Sequence, residues 1–535
     1  MSDRGPFGNR HERRLVAFLS SPAAYPQPVG GVERRETHVS HVFLAGAFAY
    51  KLKKPVNFPF LDASTLTRRR RFCELELSLN RRLAKDVYLG LVPVVATHRG
   101  LRLGGTGRVV EWLVKMRRLP DARMLDQLVA RGRIRPREIA RIADRLVQFF
   151  HRSGRNLAID RAGHPVRVAE LVLGNLKECE PFVPGLLRAE DRRRIESAFR
   201  QYLLLDEPLL MRRVREQRII DGHGDLRCEN ICMTDPVAIF DCVEFESAFR
   251  YGDVGNDLAF LAMDLEFRGR GDLARVLVRR YLRSTQDACC ERLLPFYKCH
   301  RSLVRGKVRA LAWLQHPRTA EGRRLRAFAR AHFLLAQQYA RQFAPPRLVV
   351  IGGMIGTGKS TLARRLSQAM GAAWLRTDEI RLREFATARR FGRGFATGLY
   401  APRISVLVYQ RLIQRAEQHL RRGDSVVCDG MFSRASGRQQ LRKIARRHGA
   451  SFYYFECVAP QAVAMRRVGR RYAEGRDLSE ARPALYDRLK RGVERVSGWP
   501  SSVWSRLSTA RPPEVTYQRA VETLRHAWTT KAAGG

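Results

Sequence analysis

Two short stretches hold residue types whose order suits phosphate chemistry. The first is Gly353-Met354-Ile355-Gly356-Thr357-Gly358-Lys359-Ser360, followed by Thr361. Glycines at this spacing let backbone amides turn inward as a cradle for phosphate oxygens, where side chains would block the approach. Lys359 would place a point charge on the β- and γ-phosphates, and Ser360 would offer a hydroxyl to Mg²⁺. An apolar run, Leu348-Val349-Val350-Ile351, precedes the loop and a helical pattern follows it. That strand–loop–helix context gives the motif its meaning, because the helix adds its positive N-terminal end. Residues 353 to 361 are therefore read as an ATP cradle.

Two acids follow at expected strand ends. Asp378 comes after Trp374-Leu375-Arg376-Thr377, and Asp429 after Val426-Val427-Cys428. Ligands gather at the C-terminal ends of parallel strands. Asp378 is thus a candidate general base or metal partner, and Asp429 a candidate metal-organising acid. Helix capping is the plainer alternative for either. Arg466, Arg467, Arg470, Arg471 and Arg476 come later, and a lid closing over a transferring phosphate would use such residues. Arg470 is the one singled out.

The second stretch is His223-Gly224-Asp225-Leu226-Arg227-Cys228-Glu229-Asn230, with Ile239-Phe240-Asp241 soon after. Asp225 would accept or orient the proton of an attacking hydroxyl. Asn230 and Asp241 would hold Mg²⁺ against the phosphates. One loop and one strand end bring the three to a common point. His223 and Gly224 are read as shaping the loop. Upstream, Phe48-Ala49-Tyr50-Lys51-Leu52-Lys53 has the form of a strand carrying a phosphate-pairing lysine. Alternation puts Lys51 and Lys53 on one face, so either qualifies, with Lys51 the better match. Glu76 on the following helix is the expected ion-pair partner, with Glu74 as rival. No full G-x-G-x-x-G lies over this site, unlike an ordinary protein kinase.

The elements that must carry these residues fall into two parts. The first opens with expected strands at 37–44, 48–53 and 109–116 and a helix at 66–84, and becomes mostly helical from about 135. There Ile139, Ile142, Leu146 and Phe149 line one face. A helix over 321–343 ends at Ala344-Pro345-Pro346, which cannot continue it, so a domain boundary is placed at 344. The second part alternates: strands at 348–352, 373–376, 425–428 and 452–458, with helices from 359, over 402–421, over 436–447 and from 460. Alternation of this kind implies a parallel sheet covered on both faces.

Bulk properties bound the reading. The 535 residues fit two or three domains. No apolar run approaches a membrane span, and the N-terminus shows no secretion signal. Ten cysteines lack paired zinc-site spacing, so reduced thiols and a cytoplasmic location are expected. The formal charge of +47, from 99 basic against 52 acidic residues, favours polyanions. The arginines are spread along the chain, however, so nucleic acid is a possible partner but not the favoured one.

The stretch from Glu36-Thr37-His38 through Lys53-Lys54-Pro55-Val56, the loop His223 to Asn230, and Tyr251-Gly252-Asp253 with Asp257-Leu258-Ala259-Phe260 resemble aminoglycoside-phosphotransferase-like kinases. The second part resembles P-loop small-molecule kinases of the AAA-family ATPase type. The whole is similar to bifunctional aminoglycoside phosphotransferase/ATP-binding fusions. The resemblance implies an α+β, bilobal, protein-kinase-like domain over 1–343, its small lobe ending near 118, and an α/β P-loop domain over 344–535. It also implies ATP and Mg²⁺ at both sites and a small-molecule acceptor. Arg227 departs from the pattern, standing where a histidine is common. An ATP-dependent phosphotransferase is expected, with an ATP-binding regulator and a nucleic-acid-end kinase as alternatives.

Overall fold

The computed structural model describes residues 10–37, 39–58, 61–387, 398–474 and 486–529. The chain forms two compact units, one from 1–167 and 211–301, the other from 168–210 and 302–535.

The first unit opens on a six-stranded antiparallel sheet. Its strands are β1 (Val32–Glu36), β2 (Ser40–Ala45), β3 (Phe48–Lys53), β4 (Tyr88–Thr97), β5 (Gly100–Leu103) and β6 (Arg108–Arg117), in the order β1-β2-β3-β6-β4-β5. Gly46, at φ +57°, makes the tight β2–β3 turn, which needs a residue comfortable at positive φ. Alternation divides β3 between two cores. Tyr50 and Leu52 pack with Phe43, Val94 and Leu113. Ala49 faces Cys73 of helix α1 (Leu66–Ala84), together with Tyr88 and Val114. Lys51 and Lys53 share the Ala49 side, so the sheet aims them at α1.

The 66–84 helix and the 48–53 strand form where the sequence puts them. The strand expected at 37–44 begins at Ser40, paired along β1. Strand β4 was not anticipated, because its run Tyr88-Leu89-Gly90-Leu91-Val92-Pro93 shows no alternation. Beyond the sheet the unit is helical. Helix α2 (Pro136–Arg152) buries Ile139, Ile142, Leu146 and Phe149, the face its periodicity marks. A short strand, Ile219–Asp221, leads into the 222–230 loop and pairs with Tyr251–Asp253.

The second unit is built on a five-stranded, wholly parallel sheet: β7 (Arg347–Gly353), β8 (Ala373–Arg376), β9 (Val426–Asp429), β10 (Ser451–Val458) and β11 (Trp504–Ser508), ordered β8-β9-β7-β10-β11. Both faces are covered. Leu348, Val350 and Cys428 pack one way with Val408 and Leu412, while Val349, Ile351 and Val427 pack the other way with Leu362, Leu366 and Leu524. Near-continuous apolar strands are what a doubly covered parallel sheet requires.

The sequence seam at 344 is not where the compact units divide. The helix Ala189–Leu205 contributes Leu205 to the second face of the parallel sheet. Its Ser197 hydroxyl donates to the Met370 carbonyl at 2.9 Å, and its Gln201 side-chain Oε1 accepts from Arg347 Nη1 at 2.8 Å. The helix Ala320–Phe343 packs on it in turn. Among the described residues no helix is long and apolar enough to cross a membrane, and all ten cysteines are free.

Candidate active sites

The phosphate loop joins β7 to helix α3 (Lys359–Met370). Gly353, Gly356 and Gly358 sit at φ +128°, +75° and +78°, conformations that other residues rarely adopt. A Cβ on Gly353 would lie 2.2 Å from the Cys457 carbonyl, and one on Gly356 2.3 Å from that of Ala464. Hydrogen bonds brace the loop: Thr357 Oγ1 donates to the Met354 carbonyl at 2.7 Å and Thr509 Oγ1 to that of Thr357 at 2.7 Å. Ile355 is a buried anchor, packed with Ala464, Val468 and Tyr486, while Thr361 is exposed on α3.

Lys359 folds back on the loop and donates to the Met354 carbonyl at 2.8 Å. Burial pushes its pKa below the ordinary lysine value, opposed by Asp429 and Asp378. Asp429 ends β9, in register with Ile351 of β7. Burial raises its pKa against the pull of Lys359 and of a hydrogen bond from Ser360. Asp378, half-buried in the first turn of the helix Thr377–Glu384, acts electrostatically on both Lys359 and Asp429. The structure thus gathers Lys359, Ser360, Asp378 and Asp429 at the C-terminal end of the parallel sheet. A cavity of about 80 Å³ opens against the loop itself, lined by Gly353, Met354, Thr357, Met431, Tyr454 and Tyr486.

Arg470 is not part of this gathering. It lies on helix α4 (Gln461–Glu474), 75% exposed, with Glu474 at 3.8 Å. The inward face of α4 is set by buried Ala464 and Val468, and Arg467 and Arg471, four residues apart, flank it. Arg467 donates to the Thr509 carbonyl at 2.9 Å, with its Nη1 3.7 Å from where a Cβ on Gly358 would be. Arg471 is close enough to lower the pKa of Lys359. Arg476 lies outside the described residues.

In the first unit Lys51 donates to Glu76 at 2.8 Å and to Asp241 at 2.8 Å. Lys53 pairs with the other Glu76 oxygen at 2.5 Å and with Glu244. Both lysines therefore meet Glu76, which is fully buried. Burial opposes the charge on Lys51, yet Asp241 and Glu76 carry its pKa well above the ordinary value. Burial likewise works against the Glu76 carboxylate, and the two lysines overcome it, holding its pKa low. Glu74 is elsewhere, paired with Arg70 at 2.9 Å on the exposed side of α1.

The 222–230 loop is tied from several directions. The amides of His223 and Gly224 donate to the Asp257 carboxylate at 2.6 and 3.0 Å. Arg301 holds the Gly224 carbonyl at 3.0 Å. The Asp225 amide donates to His223 Nδ1 at 3.3 Å, which leaves Nε2–H to donate to the Phe240 carbonyl at 3.0 Å. That is one neutral tautomer, and burial accordingly lowers the His223 pKa. Asn230 donates its amide to the Asp225 backbone carbonyl at 2.9 Å and to Oδ2 at 3.1 Å. Asp241 takes a φ of +62°. His223 feels both Asp225 and Asp241 electrostatically, so the loop and the strand end are neighbours. Arg227 grips Asp225 with both forks, Nε on Oδ1 and Nη2 on Oδ2 at 2.8 Å each, and its remaining arm pairs with Glu229.

Asp257 and Arg301 escaped the sequence reading as functional residues. The Tyr251-Gly252-Asp253…Asp257 motif marked the first without a role. Nothing local marks the second.

Residues 348–496 match an AAA domain. Over 501 residues the chain is 34% identical to the uncharacterized protein Rv2004c of Mycobacterium tuberculosis (strain H37Rv), covering 93% of this chain and 95% of that protein. The chain belongs to that family. A second member, the uncharacterized protein Mb2027c of Mycobacterium bovis, matches with the same identity and coverage. Among solved structures, a choline/ethanolamine kinase family protein from Mesorhizobium loti aligns at 16% identity and TM-score 0.37, over 62% of this chain and 99% of its own. A sugar kinase from Janibacter aligns at 18% identity and TM-score 0.27, over 34% and 98%. This family member carries its AAA-domain match on the five-stranded parallel sheet that holds the phosphate loop.

Proposed function

We propose that the protein is an ATP-dependent phosphotransferase with two nucleotide sites, each moving a γ-phosphoryl group to a small hydroxylated acceptor. The observation that carries this reading is the Lys51 bridge between Glu76 and Asp241, in a unit that does not contain the phosphate loop. Two charge constellations, each suited to holding phosphates, call for two nucleotides.

In the first site Lys51 binds phosphate, Glu76 fixes Lys51, Asp225 orients the acceptor hydroxyl, and Asn230 and Asp241 are the oxygen ligands for Mg²⁺. In the second, the main chain from Gly353 to Thr361 with Lys359 cradles the phosphates, while Ser360 and Asp429 serve the metal and Asp378 the acceptor. Arg467 and Arg471 replace Arg470 as the arginines facing the loop. Both residue sets fit Mg·ATP. Mg²⁺ is commonly held by one or two carboxylates plus substrate phosphates rather than by an all-protein cage. Its role when bound is to neutralise charge on the transferring group. The first function is assigned to the chain before 344 and the second to the chain after it.

A second reading, an ATP-binding regulator, is favoured by Arg227. A carboxylate held by both guanidinium forks is a poor proton acceptor. Metabolite and aminoglycoside pools incubated with ATP separate the two. Wild type is expected to add a phosphoryl mass to at least one compound, with Asp225→Asn and Lys359→Ala abolishing distinct products. ATP binding without product or ADP over hours would support the regulator and end the transferase reading.

A further inference from the structure

The first unit contains a basic recess that neither phosphate site uses. A cavity of about 200 Å³ opens where the C-terminal ends of α1 and α2 meet, lined by Arg82, Arg145, Gln148, Phe149, Arg152 and their neighbours. Three guanidinium groups border it and no acidic side chain does. Two carboxylates close by are largely engaged: Asp144 takes both forks of Arg280 at 2.7 and 3.1 Å, and Asp221 takes Arg250 at 2.7 Å while its other oxygen lies 3.7 Å from Arg82 Nη1.

The three arginines differ in how firmly they are held. Arg82 is fixed. Its Nη1 donates to the Asp221 carbonyl at 2.8 Å and its Nη2 to that of Gly222 at 2.9 Å, with the Phe149 ring 5.0 Å away. A guanidinium has five N–H groups; its Nε donates to the Leu79 carbonyl at 3.0 Å and the Asp221 carboxylate, 3.7 Å from Nη1, offsets part of the charge, so Arg82 offers the recess one remaining Nη1 donor. Arg145 donates to the Leu83 carbonyl at 3.3 Å, and its Nε, shut off from water, donates to nothing. Arg152 is exposed at the recess. Converging cations repel unless an anion lies between them, and the planar forks of arginine match tetrahedral phosphoryl oxygens.

We infer that this recess binds a small phosphorylated anion. The Asp221 and Gly222 carbonyls that hold Arg82 directly precede His223 and Asp225, and Arg82 Nη2 also lies 3.3 Å from the Cys242 sulfur, next to Asp241. An anion drawn onto Arg82 therefore acts on the anchor of the catalytic loop, and occupancy regulates the first site from behind. The site is separate from the proposed ATP cradles, and its occupancy is readable whether or not the protein transfers phosphate.

Hydrogen–deuterium exchange of the full chain with inorganic pyrophosphate tests this. Protection is expected in peptides spanning 79–85 and 145–153, with a smaller change over 219–225, besides any response at the phosphate loop. Arg145→Gln/Arg152→Gln should abolish the recess protection and leave the phosphate-loop response intact. Arg152→Gln alone, a surface change, should weaken the recess response about tenfold, the loss of one charged hydrogen bond. Protection confined to 353–361, or recess protection unchanged in these variants, would overturn the assignment. Equal protection by citrate would overturn the preference for phosphoryl groups.

Discussion

Glu76 is the residue on which the first site's charge balance turns. Both buried lysines meet its carboxylate, so losing it leaves each with one acidic partner, Asp241 or Glu244, and sets two like charges side by side. Breaking a buried ion pair by removing one partner costs about 3–5 kcal/mol. Glu76→Gln is expected to lower the unfolding free energy by about 3 kcal/mol in urea. A change within about 0.5 kcal/mol, the size of an ordinary surface substitution, would show that Asp241 and Glu244 suffice. His223 supplies a pH test. Burial depresses its pKa, so the unfolded chain takes a proton near the ordinary value of about 6.5 that the folded ring refuses. Stability from this group is therefore complete above about pH 6.5 and lost as pH falls toward the depressed folded value, by up to about 1.4 kcal/mol per pH unit. Melting curves over that window should slope more steeply for wild type than for His223→Gln, whose amide can still donate to Phe240. Equal slopes would remove His223 as the source. Sequence alone left Lys51 and Lys53 as alternatives because alternation puts both on one face. The fold uses both, and only Lys51 also reaches Asp241.

At the level of elements, helix α4 shows what periodicity gives and withholds. The sequence announces a helix after β10 and its arginines, but not which side of that helix meets the loop. That is decided by Ala464 and Val468 docking against Ile355, a contact more than a hundred residues away in sequence. Arg467→Ala and Arg471→Ala should each weaken ATP binding at the phosphate loop several-fold by calorimetry, and Arg470→Ala should not. The reverse order would mean that α4 turns its other face to the nucleotide. Four of the five parallel strands were readable to within a residue, because buried parallel strands are apolar runs bounded by glycines and acids; the edge strand β11, Trp504-Ser505-Arg506-Leu507-Ser508, was not, being partly polar and partly exposed. Strands β4 and β5 were not, since an irregular sheet with register shifts leaves no clean alternation. Asp257 illustrates the same limit: it binds the amides of a loop more than thirty residues upstream, and no local spacing encodes that closure.

At the scale of the whole chain, the proline seam at 344 ends a helix but does not divide the packing. Helix 189–205, far upstream, lies on the same side of the parallel sheet as α3. Leu205 joins Val349, Ile351 and Leu362 in one core, Ser197 meets the end of α3, and Arg194 pairs with Asp424 at 3.1 Å. A fragment 344–535 would contain every strand of the sheet and the whole phosphate loop, yet lose that helix. Its exposed core face would include neighbours of Leu205, whose burial alone contributes about 1.5–3 kcal/mol. The buried Arg347 would also lose its Gln201 acceptor, at a further cost of about 1–3 kcal/mol. Stabilities of single domains are of order 5–15 kcal/mol, so these losses are a large share. The fragment is expected to bind a hydrophobic dye and to melt well below the corresponding transition of the full chain, with weakened ATP affinity. A fragment that melts at the full-chain temperature and binds ATP equally well would make 344 a true boundary and reduce the 189–205 helix to a passive neighbour.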